Sequence, residues 1–326
     1  MEAIQFSRNG GPEVLERVTL PDPRPGPGQI AIELAATAVN YADLLMVRGA
    51  YPGVKAPGIP GLEAAGTVLE VGPGVTRFAP GHRVMSLVRG GTYATRVIAL
   101  ERAAVAVPGD FDWVQAAGFM ETFYTAYHAL FTVGHARPGQ TVLVMAAAGG
   151  VGSSALQLAR ERGLRAIAAA SSREKLDSVK ELATSGLVNY KDEDLVARVR
   201  ELTGGRGVDV VLESVGGALS EAAFETLAPL GRMVVFGAAS GQWGQFPPHK
   251  LLGRAVTLAG MSLGKLLESC EPEMDQATDA LMGLVARGRI RPAIGHVMSL
   301  WDAAKAHELM ASRGSRGKIV LTVERA

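Results

Sequence analysis

The sequence predicts an α/β protein in which a doubly wound parallel sheet is joined to a separate, mainly antiparallel β domain. Three observations carry this. From residue 141 apolar segments alternate with helical ones, the pattern of a parallel sheet covered on both faces. Before about residue 115 the style is different: short β-rich segments are broken by Gly and Pro. The length of 326 residues exceeds the usual single domain, and a cleft between two domains is a common place for small molecules to bind.

In the first region QIAIELAATAVN, AAGTVLEVGPGV and HRVMSLV read as strands, and the Pro-rich PDPRPGPGQ reads as a surface turn. In the second, TVLVM precedes a helical stretch, RAIAAAS precedes REKLDSVKELA, LVNY precedes DEDLVARVRELT, VDVVLES precedes ALSEAAFETLA, and RMVVFG closes the series. The C-terminal part adds helices near 273 to 287 and 302 to 312, then the strand KIVLTV. Hydrophobic residues at 48% with 6% aromatic suit the Ala- and Val-rich packing of such sheets.

Charge and cysteine usage exclude several classes. The 33 basic and 32 acidic residues nearly cancel and form no like-charged block, so nucleic acid and anionic membranes are not expected partners. Cys270 is the sole cysteine, which rules out an internal disulfide and a thiolate cluster for structural zinc. No basic leader precedes an apolar core, and no run approaches the roughly 20 apolar residues of a membrane helix, so a cytoplasmic location is expected.

The segment AAAGGVG, at 146 to 152, follows a strand and opens a helix. Gly149 and Gly152 stand three apart, and bare backbone there lets amide donors and the positive helix end meet a pyrophosphate. Ala147 replaces the usual first glycine, and a tight turn without a ligand is the alternative. Ala147, Gly149, Gly150, Val151 and Gly152 are the candidate cofactor contacts of this loop. Where NAD-selective sites place an acid on the ribose, this chain has Ala170, Ser171, Ser172 and Arg173. Ser171, Arg173 and Lys175 can bind a 2′-phosphate there, which favours NADPH. Alternatively, Glu174 does the acid's work, or Lys175 is only a solvated helix residue.

In their order along the chain, GGPEVL, AVNYADLLMVRGAYP, GLEAAGTVLEVGPGV, TAYHAL, AAAGGVG, NYKDEDL, ESVGG and VVFGAASG together resemble the zinc-free medium-chain dehydrogenases/reductases, closest to the NADPH:quinone oxidoreductase and ζ-crystallin group. The resemblance spans nearly the whole chain. It implies a GroES-like catalytic domain over residues 1 to 121, completed by 263 to 326, with a Rossmann dinucleotide domain over 122 to 262 inserted between them. It also implies that the metal site is lost. Asn40 stands where zinc relatives have a Cys, and GLE replaces Gly-His-Glu with Leu62 at the His; His82 in PGHRV reads as a turn residue.

Residue by residue, the resemblance places Tyr190 beside the 2′-phosphate, with Arg313 as a further candidate. Thr125, Phe236, Gly237 and the loop beyond correspond to positions around the nicotinamide, and Ser214 to Gly216 to the end of the fourth strand. Asn40 and Tyr51 match the substrate cleft, while Leu45 replaces a second cleft tyrosine. Tyr190 as a strand-end aromatic, Asn40 as a turn cap and Tyr51 as ordinary packing are the competing roles. AVTLAGMSL at 255 resembles the edge strand through which relatives pair, so a homodimer is expected.

With no metal, Ser-His-Asp set or evident carboxylate pair, the residues offer positioning for hydride transfer. The expected reaction is reduction of a small quinone by NADPH, with Asn40 or Tyr51 orienting a carbonyl oxygen. Reduction of an activated C=C bond in an enone or enoyl thioester is the alternative, and a non-enzymatic lens or RNA-binding role is a third.

Overall fold

The apolar run QIAIELAATAV forms an 11-residue strand, Gln29–Val39, in a computed structural model that describes residues 1–324. This strand organises the first of two units, Met1–Glu121 with Pro292 onward. Its start pairs antiparallel with Arg96–Leu100, and its end, Ala36 to Val39, pairs with Ile319 to Thr322. Glu63–Val71 runs antiparallel along it as well. Arg83–Leu87 and Ala104–Ala106 extend the seven-stranded sheet on one side, and Ile294–Ser299 on the other. Alternate residues Ile30, Ile32 and Leu34 fill a core with Val68 and Val84. Beyond Val39 the chain turns at Asn40 into the helix Tyr41–Val47.

The second unit is Thr122–Arg291. Its six strands are all parallel, in the spatial order Gly186–Asn189, Arg165–Ala170, Thr141–Val144, Val208–Glu213, Leu227–Val235, Thr257–Gly260. The order reverses beside Thr141–Val144, the arrangement that leaves a crevice at the C-terminal strand ends. Leu143, Ile167, Val188, Val211, Phe224 and Met233 are fully or almost fully buried at its core. The helix Gly150–Glu161 buries every residue from Gly152 to Ala159, which explains why Ala, Ser and Leu alternate there.

Two expectations change in detail. The helical stretch REKLDSVKELA is a short helix, Arg173–Asp177, followed by a 3-10 turn, Lys180–Leu182, with Ser178 Oγ donating to the Lys175 carbonyl at 2.7 Å. Residues 263 to 291, expected with the catalytic domain, cluster with the parallel-sheet unit. The Gln157 side chain exchanges hydrogen bonds with the Arg291 backbone at 2.9 and 3.0 Å, and Tyr124 Oη meets Thr278 Oγ1 at 2.7 Å. Among the described residues no helix is long and apolar enough to cross a membrane.

Candidate active site

In the β-rich unit, strand register brings three distant residues together. Lys318 precedes Ile319, the partner of Val39, so it arrives opposite Asn40; Glu63 opens the strand on the other side. Lys318 Nζ donates to Asn40 Oδ1 at 2.6 Å, to Glu63 Oε1 at 2.7 Å and to the Val39 carbonyl at 3.1 Å. Asn40 Nδ2 donates to Glu63 Oε1 at 3.1 Å and more weakly to the Ala38 carbonyl at 3.4 Å. Glu63 and Lys318 are 1% and 3% exposed, so each charge depends on the other.

The Asn40 side chain belongs to this cluster and Asn40 is also the N-cap of the helix, in a capping box with Asp43, whose Oδ2 accepts from the Asn40 N–H at 2.8 Å. Only the Nδ2 hydrogen that makes the long Ala38 contact is loosely held. Tyr93 Oη donates to Asp43 Oδ2 at 3.3 Å and meets His307 Nε2 at 3.1 Å. Burial raises the Asp43 carboxyl to about 7, and Asp43 Oδ1 has no hydrogen-bond partner among the described residues. Burial lowers His307 to about 4, so its imidazole is neutral. Tyr51 sits just past the helix Tyr41–Val47, its N–H bonded to the Leu45 carbonyl at 3.1 Å. Its hydroxyl pKa is raised by burial and by Glu121 and Asp43, and the hydroxyl has no hydrogen-bond partner among the described residues.

Glu121, which the sequence reading passed over, joins this cluster. Its N–H donates to Glu63 Oε2 at 2.8 Å, and its carboxyl is pushed up to about 8 by burial and by the Glu63 charge. Lys318 and Glu121 carry no local motif. Only strand pairing and the helix start at Met120 reveal them.

The donor set does not suit zinc. Leu62 is apolar, Asn40 is an amide, and the Lys318 ammonium already lies between Asn40 and Glu63. Among the described residues no group of three His, Cys, Asp or Glu is disposed to hold a metal ion. His82 Nδ1 accepts from the Ala79 N–H at 3.3 Å within its turn.

In the parallel-sheet unit the expected cofactor residues gather at the C-terminal strand ends. Gly149 caps the helix Gly150–Glu161, and Gly150, Val151 and Gly152 form its first turn, whose amides face the crevice end of the sheet. Ala147 donates its N–H to the Ala169 carbonyl at 3.0 Å. Gly152 has a packing role: a Cβ there would stand 2.5 Å from the Ala146 carbonyl oxygen and 2.6 Å from Ala147 Cα. Its bareness lets the helix close on the loop, whereas at Gly149 a Cβ would stand 3.3 Å from the Ala146 carbonyl oxygen, a tight but less severe contact.

Ser171 and Lys175 come together, with Nζ donating to Oγ at 3.4 Å, and the Tyr190 N–H bonds the Ala170 carbonyl at 3.1 Å. The Tyr190 ring also packs against the Val188 and Leu195 core. Arg173 pairs instead with Asp177 at 3.5 Å, and Glu174 is exposed one residue along the same short helix. Arg313 belongs to the other unit, just after the helix Ala303–Ala311.

Across the sheet, Glu213 is buried and its carboxylate accepts from Val215 N at 2.7 Å, Gly216 N at 3.1 Å and Ser220 Oγ at 2.9 Å. This fixes the Ser214 to Gly216 turn beside Phe236 and Gly237, and the Ala239 N–H bonds the Ser214 carbonyl at 2.9 Å. Gly216 has φ +83°, and a Cβ would lie 2.1 Å from the Gln242 carbonyl oxygen. Thr125 is 7% exposed on the helix Met120–Tyr127. An open hollow of about 610 Å³ lined by Arg137, Gln140 and Arg232 lies at the N-terminal end of Thr141–Val144, the wrong end of a parallel sheet for a dinucleotide.

A parallel sheet with a Gly-rich helix start, joined to a GroES-like β unit, defines a dinucleotide-dependent dehydrogenase or reductase. Comparison with known proteins agrees: residues 26–133 match the alcohol dehydrogenase GroES-like domain and residues 150–281 the zinc-binding dehydrogenase family. The chain is 36% identical to a quinone oxidoreductase of Pseudomonas aeruginosa over 98% of both chains, and 33% identical to a 2-haloacrylate reductase of Burkholderia sp, again over 98% of both. It superposes on the crystal structure of Escherichia coli quinone oxidoreductase complexed with NADPH with a TM-score of 0.92 and 32% identity, covering 99% of this chain and 100% of that one. The chain belongs to the medium-chain dehydrogenases/reductases of the quinone oxidoreductase group.

Proposed function

We propose that this protein is an NADPH-dependent reductase that passes hydride to a small quinone. The observation that carries the coenzyme is the Ser171 and Lys175 pair at the end of the second strand, next to Tyr190, where the turn presents a cation and hydroxyls to a 2′-phosphate. The first-turn amides of the helix Gly150–Glu161 would hold the pyrophosphate, and the turns fixed by Glu213 would hold the nicotinamide. When bound, NADPH supplies the hydride. Tyr51 and the loosely held Asn40 Nδ2 hydrogen orient the acceptor's carbonyl oxygen and share its developing charge. The relatives named quinone oxidoreductases support the acceptor class.

A second reading, reduction of an activated C=C bond, is favoured by a specific observation: the cluster holds a protonated carboxyl, Glu121, near Tyr51. The relative named a 2-haloacrylate reductase points the same way. NADPH oxidation with para-benzoquinones, enones and enoyl thioesters tests the two. Quinone turnover, reduced less than about tenfold in Tyr51→Phe because only orientation is lost, fits the first reading. Efficient enone or enoyl thioester turnover with little quinone turnover would establish the second. The assembly proposed is a homodimer paired through Thr257–Gly260, an outer strand of the parallel sheet.

A further inference from the structure

We propose that Glu121 is a catalytic acid that delivers the proton accompanying hydride transfer; this rests on the reading that the acceptor lies beside Tyr51. Neither the family comparisons nor the sequence pattern assigns it a role. Three carboxyl groups, Asp43, Glu63 and Glu121, share one ammonium, Lys318, inside the β-rich unit. Lys318 has three N–H bonds and spends them on Glu63, Asn40 and the Val39 carbonyl. Glu63 holds the ammonium at 2.7 Å and also accepts from Asn40 and from the Glu121 N–H. Asp43 accepts from Asn40 N and Tyr93 Oη. The Glu121 carboxyl alone of the three makes no hydrogen bond or ion pair among the described residues, and the residue is half-buried, so its carboxyl O–H is left unused by the cluster.

The groups that set its charge are Glu63, Lys318 and Asp43; Tyr51 feels Glu121, and the Arg89 charge opposes that effect on Tyr51. Burial penalises the Glu121 carboxylate, and repulsion by the already paired Glu63 adds to the cost, so Glu121 keeps its proton up to about pH 8. It is therefore an acid at neutral pH, while both Glu63 oxygens are already engaged by Lys318, Asn40 and the Glu121 N–H. In the reaction one hydride, two electrons and a proton, leaves NADPH for the acceptor and NADP⁺ forms. The Glu121 O–H bond breaks, and its proton goes to the quinone oxygen, or to the α-carbon if the acceptor is an enone. Glu121 is left as carboxylate and takes a proton from water to reset.

The test is the pH dependence of kcat/KM with NADPH and either para-benzoquinone or an enone, in wild type, Glu121→Gln and Glu121→Asp, with NADPH affinity measured alongside. Wild-type activity is expected to hold to about pH 8 and then fall. Glu121→Gln should lower it about a hundredfold and abolish the alkaline fall, with NADPH binding intact, and Glu121→Asp should restore part of the rate and the fall. Infrared spectra at neutral pH should show a protonated-carboxyl C=O band that Glu121→Gln removes. A Gln variant within about twofold of wild type with the same alkaline limb, or no such band difference, would overturn the proposal. Wild type inert to quinone but active on the enone with this Glu121 dependence would overturn only the quinone reading. Inertness to both acceptors overturns both.

Discussion

The Lys318 ammonium is buried among three oxygens, and Glu63 is the carboxylate that pairs with it directly among the described residues. Lys318→Met leaves Glu63 buried without its partner and is expected to cost about 3–5 kcal/mol in urea unfolding. Glu63→Gln made in the same chain should recover part of that loss, because no uncompensated charge then remains. Glu121 makes the opposite kind of contribution. It holds its proton to about pH 8 when folded, against 4.5 for the ordinary carboxyl, so the folded state binds more protons across that window. Stability consequently falls as pH rises through it. Glu121→Gln should be stabilised relative to wild type by an amount that grows from pH 4.5 to about 8, at no more than about 1.4 kcal/mol per unit, and is constant above. Urea midpoints at several pH values measure this.

The C-terminal ends of the parallel strands are the elements on which coenzyme choice rests. Lys175→Ala removes one charged contact and should weaken NADPH binding by about 1.5–3 kcal/mol while leaving NADH nearly unchanged. Equal losses for the two coenzymes, by calorimetry, would be the failing result. These elements were legible in the sequence because their signals are local: an apolar strand, small residues, then a buried helix, repeated within short spans. Locality also set the errors. The packing role of Gly152 depends on how closely the helix approaches Ala146, which spacing does not contain. The Asn40, Glu63, Lys318 and Glu121 cluster was half visible: Asn40 was singled out, but its partners are fixed by the register of Gln29–Val39 against strands far away in sequence. Asn40 and Lys318 are 278 positions apart, and no local pattern links them.

At the scale of the molecule, the metal-incompatible cluster predicts turnover that survives dialysis against a strong chelator, read by NADPH oxidation before and after. The outer strand Thr257–Gly260 predicts a two-chain mass in light scattering at micromolar concentration, and a one-chain mass would count against pairing. The central strand Gln29–Val39 has a consequence for biosynthesis. A ribosome makes Asn40 and Glu63 early and Lys318 only after the whole parallel-sheet unit has emerged. Until then Glu63 has no counter-ion and the Ala36 to Val39 edge has no neighbour on the side that Ile319 to Thr322 will occupy. The half made first must wait for the half made last, so a nascent chain halted before residue 318 should remain protease-sensitive in residues 1 to 121.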